Sequence, residues 1–536
     1  MAAATAPASR RQREQRHGRL SWVLGVAILA GGALRQRLLV HSYRFFVDDA
    51  YIFLRYARRA TGGEGLTYNG AQHVLGFTSP LYVVILTGLG ELGGAAHLAG
   101  EANAADLSFY LAASAILVGL ARRHEASLPV LLIAWLAWFP LVAAGVNGME
   151  TMLFIALQYG ALLLAVEGRE GWAATVAALA VLTRPEGAIF AVVLVGGAVA
   201  HRRPTWRAWR ASVVGVALLV VWAVFAVATY GTLLPQSIIA KGALQGTSGG
   251  VVEKLGVAAV GLSTSQYRAL GPAVRGVVMA LGVAALAAVV AGLVVDLRRR
   301  AVAAAVPAWF VLTWLFYVVG HPIQLWSWYS APTTMAVWWT LARHGPGAIG
   351  RLANLLRGQR SGLLRQSPAT SIRVGAVVMV GAVVVATAGS LAVGERQRER
   401  SLEASVVGLE RLARVIQHQA PAAQSIFIDD IGIVGWTTGD HIVDGAGLVS
   451  PLGAVRHDDR LLSVDTLTRR TCIDVVALKA DPALGAAIAD PLLRRPIFDD
   501  AGQRADLLAS YRETPAYGLG GYQVLLVRRA LDSPRP

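Results

Sequence analysis

The sequence predicts a polytopic α-helical membrane protein with a small α/β domain at its C-terminal end. Hydrophobic residues make up 55% of the 536 residues and charged residues only 15%, whereas soluble domains carry about 25% charge. The apolar residues stand in long blocks, several of which approach the length that a membrane span requires. From about residue 395 these blocks give way to short β-branched runs, which indicate strands.

The positive charge follows the pattern of a membrane protein. Arginines cluster in short loops between the apolar blocks, which gives a net charge of +16 and matches the positive-inside bias. We therefore expect the lipid bilayer as a partner and no nucleic acid. The basic stretch before residue 20 precedes an apolar run without a small-residue cleavage site. This pattern predicts an uncleaved signal anchor with residues 1–19 in the cytoplasm.

The same bias decides the topology through one short apolar run, residues 81–92. This run has about 12 residues, where a span needs about 20. Arginine-rich loops follow at 121–125, 201–210 and 296–300. All three loops lie inside the cell if the short run stays on the outer surface, and all three lie outside if it spans. We therefore predict a peripheral or re-entrant helix at 80–93, within a first extracytoplasmic loop at 41–103.

Eleven membrane helices are predicted in a membrane domain at 20–394, and they place the α/β domain at 395–536 outside the cell. They lie at about 20–34, 104–121, 128–144, 149–166, two short helices within 171–200, 211–229, 275–295, 302–319, 329–342 and 374–393. The two short helices meet at Arg184-Pro185-Glu186, where we expect the charged pair either to line a polar cavity or to stabilise a buried turn. Two long loops are predicted, a mobile outer one at 230–274 and a basic cytoplasmic one at 343–373.

Two adjacent carboxylates, Asp48 and Asp49, begin a predicted helix in the first loop. Carboxylates beside a membrane segment are costly unless they face water or a partner, so they indicate function. Asp48 also fits a helix N-cap, whereas Asp49 shares one helix face with Ile52, Phe53 and Tyr56. A carboxylate at the water–lipid boundary suits a general base for an acceptor hydroxyl, and the spacing leaves open which aspartate has this role.

A phosphate leaving group would require cations on the same side of the membrane. The predicted topology places several there: Arg35, Arg55, Arg58, Arg184, Lys241 and His321. We predict that all of these except Arg35 bind the donor phosphate; the alternative is that each is a solvated or snorkelling side chain.

Further candidates are predicted to line the substrate site: Tyr51, Asn69, Glu150, Glu186 and Trp328. Trp328 is alternatively an interfacial aromatic residue, and Asn69 alternatively a turn residue. The sequence contains neither a Gly-rich nucleotide-binding loop nor a His/Cys cluster with the spacing of a metal site. We therefore predict no cofactor and assign no metal ligands, with a requirement for a divalent ion left open.

The first loop resembles that of a known family. Residues 46–81 are similar to the first extracytoplasmic loop of GT-C glycosyltransferases, and among these to actinobacterial arabinofuranosyltransferases of the AftB type and ZomB-like proteins. The matching positions are Asp48, Asp49, Ile52, Arg55, Arg58, Gly63, Gly65, Asn69, Gly70, Val74 and Thr78. Arg59 departs from the family, which has asparagine there. Weaker resemblances lie at 148–151, 183–187, 230–241, 429–436 and 443–448.

This resemblance implies a GT-C-like fold and an inverting transfer of a sugar in the plasma membrane. The donor would be a polyprenyl-phosphate sugar, with arabinofuranose favoured, and the acceptor a cell-envelope glycan on the outer face, in cell-wall biogenesis. A first-loop aspartate would be the base. Two alternatives remain: a non-catalytic membrane protein of envelope or flagellar motor assembly, and a flippase for lipid-linked sugars. A flippase would be expected to show repeated halves, and none is visible in the sequence.

Overall fold

The computed structural model describes most of the chain between Val47 and Asp532. The described residues are 47–123, 125–201, 205–243, 251–319, 325–358, 406–445, 447–450, 456–457, 460–461, 473–479, 489–490, 495–496, 510–516 and 519–532. The predicted spans at about 20–34 and 374–393 lie outside these ranges, as do Arg35 and His321.

The described residues before 359 form helices joined by loops. They are α1 (Asp48–Thr61), α2 (Pro80–Gly93), α3 (Leu98–Arg122), α4 (Leu128–Ala137), α5 (Phe139–Ala144), α6 (Thr151–Val166), α7 (Glu170–Val181), α8 (Gly187–His201), α9 (Trp206–Trp209), α10 (Ser212–Tyr230), α11 (Gln236–Ala243), α12 (Val251–Val260), α13 (Thr264–Arg268), α14 (Pro272–Arg298), α15 (Ala305–Val319) and α16 (Ser327–Gly358). Within the described ranges, four helical segments are long and apolar enough to cross a membrane: Leu98–Arg122, Ser212–Tyr230, Pro272–Arg298 and Val302–Val319. The chain is a polytopic α-helical membrane protein.

The membrane helices show the packing that lipid surroundings favour. Helix α10 packs along α7 and leaves Val216, Val221 and Val224 mostly exposed, as expected for a lipid-facing surface. Lipid tails are as apolar as the helix side chains, so helices in a membrane associate through close van der Waals contact. Small residues therefore lie where two helices cross closely. A Cβ atom on Gly282 of α14 would lie 2.6 Å from the Cα of Gly256 in α12, so this crossing requires glycine.

Several predicted elements are present, and others are corrected. The short helix at 80–93 and the break between α7 and α8 both appear as predicted. The predicted span at 128–144 is divided at Trp138, because Pro140 lacks the N–H that a continuous helix needs. The described parts of the predicted mobile loop form α11, α12 and α13, and α16 continues to Gly358 through part of the predicted basic loop.

Helix α16 continues past its predicted end because its charges have partners within the bundle. The guanidinium group of Arg343 lies 3.0 Å from a carboxylate oxygen of buried Asp296 on α14, and it also pairs with Glu125. His344 lies 3.1 Å from the same aspartate. A basic side chain that is paired with a buried carboxylate can lie on a helix packed against the bundle, so these residues do not have to be in a solvated loop.

The C-terminal unit is an α/β domain, as predicted. Its elements are α17 (Gly408–Gln419), β1 (Ser425–Ile428), α18 (Ile431–Thr438), β2 (His441–Asp444), β3 (Arg456–His457), β4 (Arg460–Leu461), β5 (Val475–Lys479), β6 (Ala489–Asp490), β7 (Arg495–Pro496), β8 (Tyr511–Pro515) and β9 (Tyr522–Arg528). Five strands form one sheet in the order β2-β1-β5-β9-β8. Strand β1 pairs in parallel with β2 and β5, and β9 runs antiparallel to its neighbours. The β-branched run at 425–436 forms a strand only as far as Ile428, and its second half forms α18.

Candidate active site

Helix α1 lies between the membrane helices and the C-terminal unit. It packs against α2 on one side and against α18 on the other. Its main chain is also tied to the loop before α6, since the N–H of Val47 donates to the carbonyl oxygen of Asn147 at 3.1 Å. One helix therefore presents its residues both to the membrane bundle and to the C-terminal unit.

Asp49 lines an open cleft on the bundle side of α1. Side chains from separate parts of the chain meet there: Asp49, Thr78, Glu150, Ser237, Tyr329 and Leu448. The last of these comes from the C-terminal unit. The cleft therefore joins the first loop, the membrane helices and the C-terminal domain, and two carboxylates face it.

Buried Arg184 holds the second of these carboxylates. Its guanidinium nitrogens lie 3.1 Å from Glu150 and 3.5 Å from Glu186, and it donates to the main-chain oxygen of Trp328 at 3.0 Å. The guanidinium group also stands over the ring of Tyr329, 4.9 Å from its centroid. The Arg184–Glu186 pair is therefore buried at the turn, as the second alternative held, and Arg184 is connected to the cleft through Glu150.

Two polar atoms at the cleft have no protein partner within the described residues. These are the second carboxylate oxygen of Glu150 and the hydroxyl of Ser237, and both side chains are at least nine-tenths buried. Leaving a buried polar atom without a hydrogen bond costs about 1–3 kcal/mol. Such atoms at a cleft fit a ligand that carries hydroxyl groups.

A buried carboxylate sets the position of Glu150. Asp106 on α3 accepts a hydrogen bond from the main-chain N–H of Gly148 at 3.0 Å, and the Tyr82 hydroxyl donates to the carbonyl oxygen of the same residue at 2.9 Å. Both contacts hold the turn that leads into Glu150. Asp106 was not among the predicted site residues, although a carboxylate within a predicted span is a signal that could have found it.

Asp48 does not line the cleft and binds α18 instead. Its two carboxylate oxygens accept hydrogen bonds from the main-chain N–H groups of Gly432 at 3.0 Å and Ile433 at 2.7 Å. Burial, followed by the charge of Asp430, raises the pKa of Asp48 to about 7, although the two N–H donors act in the opposite direction. The alternative interpretation, in which Asp48 is the N-cap of its own helix, is therefore wrong: Val47 holds that position, and the Asp48 carboxylate binds the first N–H groups of α18 instead.

The predicted phosphate-binding residues Arg55 and Arg58 also contact the C-terminal unit. We call residues 431–442, which comprise α18 and the first residues of β2, the docked segment. Arg55 is buried and donates to the main-chain oxygens of Gly435 and, at 2.5 Å, of Asp440. Arg58 donates to the main-chain oxygen of Trp436 at 3.0 Å and stands over its ring. We therefore leave Arg55 and Arg58 out of the site proposed below.

The remaining predicted residues are distributed over both regions. Tyr51 packs near the Trp436 ring, 6.1 Å between centroids, and Asn69 bonds to Ile442 in the docked segment. Trp328 is buried and stacks on Trp326 with centroids 5.1 Å apart. Lys241 belongs to α11, and its side chain lies outside the described part. Substrate contact by each of these residues stays a prediction.

Comparisons with known proteins bear on the fold. Residues 395–525 match a family model described as "Domain of unknown function (DUF8728)". No curated protein sequence matches the chain. Among solved structures, the chain is similar to ArnT from Cupriavidus metallidurans bound to undecaprenyl phosphate, with a TM-score of 0.57 and 14% identity over 96% of this chain and 99% of that one.

The chain has a GT-C-like fold. The similarity to ArnT runs over nearly the full length of both chains, so it covers the membrane helices and the C-terminal unit together. The fold class implied by the first-loop resemblance is confirmed. An identity of 14% reports on fold alone, so the activity has to be argued from the cleft.

Proposed function

We propose that the chain is a membrane glycosyltransferase that transfers a sugar from a polyprenyl-phosphate donor to an acceptor hydroxyl, with Asp49 as the general base. The observation that carries this proposal is the cleft in which Asp49 and Glu150 meet below the C-terminal unit. A GT-C-like fold supports it, as does the undecaprenyl phosphate bound to ArnT. The distinction between the two first-loop aspartates follows from their surroundings, since only Asp49 lines the cleft.

The proposed reaction is a single displacement with inversion. The acceptor oxygen attacks the anomeric carbon while the bond from that carbon to the phosphate oxygen breaks, and its electron pair leaves with the phosphate. Asp49 receives the proton of the acceptor hydroxyl as the new glycosidic bond forms. Glu150 accepts a hydrogen bond from a sugar hydroxyl through its unpartnered oxygen, and this contact orients the sugar.

The proposed phosphate-binding cations are Arg184, Lys241 and His321. Arg184 already faces two carboxylates, so a donor phosphate has to compete with Glu150 for its guanidinium group. Such competition would release Glu150 toward the sugar as the phosphate binds. Charge that develops on the departing phosphate would be stabilised in a site prepared before the reaction.

The finer assignment follows the first-loop resemblance. It gives arabinofuranose as the donor sugar, a cell-envelope glycan as the acceptor and cell-wall biogenesis as the process. It also gives a plasma-membrane location with the N-terminus in the cytoplasm, and the cleft and the C-terminal unit on the outer side. No metal or other cofactor enters the proposed step.

The test is transfer of labelled sugar by the purified full chain in lipid vesicles. Polyprenyl-phosphate pentoses and hexoses serve as donors, and a cell-envelope glycan serves as the acceptor. We expect transfer with one donor class, its loss in Asp49→Asn, and its retention in Glu167→Gln, which alters a surface ion pair with Arg123. Absence of transfer with every donor would contradict the proposal. Movement of the donor across the vesicle membrane without transfer would favour the flippase.

A further inference from the structure

The docked segment meets the first loop through a dense set of directional contacts. At the start of α18, the carboxylate of Asp48 accepts hydrogen bonds from two main-chain N–H groups. Near its end, Arg55 and Arg58 donate to main-chain oxygens. Side chains of α1 therefore bond to the main-chain N–H groups at the start of α18 and to main-chain oxygens near its end, which a helix leaves without partners of its own.

The spacing of these charges matches the length of the helix that they hold. Asp48 and Arg55 stand seven residues apart on α1, which corresponds to about 10 Å along a helix. Helix α18 has 8 residues and is about 12 Å long. The two helices run in the same direction, so one carboxylate and one guanidinium group on α1 bracket α18.

Glycines allow the two helices to approach until their main chains touch. A Cβ atom added to Gly432 would overlap the main-chain oxygen of Asp48, and one added to Gly435 would lie 2.6 Å from a guanidinium nitrogen of Arg55. Close contact of this kind leaves no room for α18 to slide or for a side chain to intervene. The position of α18 thus constrains the position of the start of α1.

A side-chain amide extends the docked contact onto the sheet. The amide nitrogen of Asn69 donates to the main-chain oxygen of Ile442 at 2.7 Å, and its amide oxygen accepts from the N–H of the same residue at 3.0 Å. This pair of bonds imitates a neighbouring strand, and β2 is an edge strand of the sheet that the described residues form. The Tyr68 hydroxyl adds a bond to the main-chain oxygen of Ile431 at 2.7 Å.

The C-terminal unit also reaches the cleft from a second direction. The amide of Gln236 on α11 donates to the main-chain oxygens of Gly447, at 2.8 Å, and Ser450. Between these two positions, Leu448 lines the cleft. The neighbours of Gln236 and of Asp48 in sequence, Ser237 and Asp49, line the same cleft.

We propose that Asp48 and Arg55 are positioning residues through which the C-terminal unit sets the orientation of Asp49 in the cleft. They bind α18 and not the substrate, so the C-terminal unit is a required part of the active site. The claim about Asp49 rests on the proposed transferase function, whereas the docking of α18 by these residues stands apart from it.

The first experiment measures docking without any reference to activity. Spin labels are placed on the full chain at Glu64→Cys and Arg414→Cys, both highly exposed positions, in a Cys472→Ser background, and the distance between them is measured by double electron–electron resonance. We expect one narrow distance in the parent chain and a broad or shifted distribution in Gly432→Ala and in Asp48→Ala. The matched control is Gly88→Ala, a helical glycine where an added Cβ meets no atom within 4 Å.

The second experiment measures transfer in the same variants. Misplacement of a base by about 1 Å costs up to about a hundredfold, so we expect kcat to fall about tenfold to a hundredfold in Gly432→Ala and Asp48→Ala. The KM for the donor should change by less than about threefold, because neither residue binds it. Asp48→Asn keeps one acceptor for the α18 N–H groups and should retain both the narrow distance and most of the activity.

Each outcome decides one part of the proposal. An unchanged distance distribution in Gly432→Ala and Asp48→Ala would overturn the docking role. A broadened distribution with parental kcat would overturn the positioning of Asp49. If the parent chain transfers no sugar, the proposed function fails and takes the role of Asp49 with it, while the distance measurement still decides whether these residues dock the C-terminal unit.

Discussion

The cleft and the docked interface lie on two sides of one helix and satisfy their polar groups in opposite ways. At the interface, Asp48, Arg55 and Asn69 bond to main-chain groups of residues 431–442. At the cleft, one oxygen of Glu150 and the hydroxyl of Ser237 have no protein partner within the described residues. Polar groups that are saturated by main chain indicate assembly, and buried ones left without a partner indicate a ligand. This difference assigns the two neighbouring aspartates to different tasks.

The largest effect on stability is expected on the cleft side, at Arg184, whose charge compensates two buried carboxylates. We expect Arg184→Ala to lower the free energy of unfolding by about 3–5 kcal/mol, because Glu150 and Glu186 would then share no cation. Thermal unfolding in a fixed detergent measures this loss. The control is Arg414→Ala, whose ion pair with Glu410 is largely exposed and should contribute less than about 0.5 kcal/mol.

If the loss at Arg184 is electrostatic, removing one carboxylate should restore part of it. Arg184→Ala combined with Glu186→Gln is expected to be more stable than Arg184→Ala alone. Equal stability of the two variants would mean that packing of the arginine, and not its charge, holds this part of the cleft.

A smaller effect is expected on the interface side at Asn69. Asn69→Ala leaves the main-chain N–H of Ile442 without its partner, and the carbonyl oxygen of Ile442 keeps only a long bond of 3.4 Å from the Ser450 hydroxyl, which together should cost about 2 kcal/mol in docking of the C-terminal unit. The readout is protection of the docked segment against hydrogen exchange, with transfer measured alongside. Asn103→Ala serves as the control, because that amide bonds to Ala99 within its own helix. Equal protection in both variants would remove Asn69 from the interface.

Docking of the C-terminal unit should also depend on pH. The pKa of Asp48 is about 7 in the folded protein against an ordinary value of 3.8, so the folded state binds more protons than the unfolded state between these values. The corresponding stabilisation is present below about pH 4 and is lost as the pH rises to about 7, where Asp48 ionises next to Asp430 and Asp49. Docking should therefore weaken over this range in the parent chain.

Asp48→Asn carries no such titration and isolates the pH effect. Hydrogen exchange of α18 as a function of pH should be flatter in this variant than in the parent between about pH 4 and pH 7. Tyr51 and Tyr68, which also interact electrostatically with Asp48, stay neutral in this range because the pKa of each is raised. Identical pH profiles in parent and variant would assign the titration to another group.

Much of the fold was accessible from the sequence because it depends on local patterns. Apolar length and the positive-inside bias predicted the membrane class, and the short apolar halves around Arg184-Pro185-Glu186 predicted the break between α7 and α8. Asp49 and Arg184 were singled out as charges beside apolar segments, and Glu150 was predicted to line the substrate site. Helical spacing also placed Asp49 on one face with Ile52 and Phe53, while it left open which aspartate is the base.

The partners of the first loop could not be derived in the same way. Arg55 and Asp48 bond to residues about 380 positions later in the chain, a separation across which no periodicity carries information. A motif of charged residues in a loop suggests substrate binding. Here Asp48, Arg55 and Arg58 instead bond to the docked segment of the C-terminal unit. Asp106 was missed for a different reason, since one carboxylate among apolar residues was read as part of a span.

The most direct test of this account compares Asp48→Asn with Asp49→Asn in the same transfer assay at pH 7. Loss of a general base lowers kcat by about 10²- to 10⁴-fold, and we expect this for Asp49→Asn with docking of α18 unchanged. Asp48→Asn should stay within about threefold of the parent chain, because it loses one of two hydrogen bonds and no catalytic group. The reverse order, with Asp48→Asn inactive while α18 stays docked and Asp49→Asn active, would contradict the assignment.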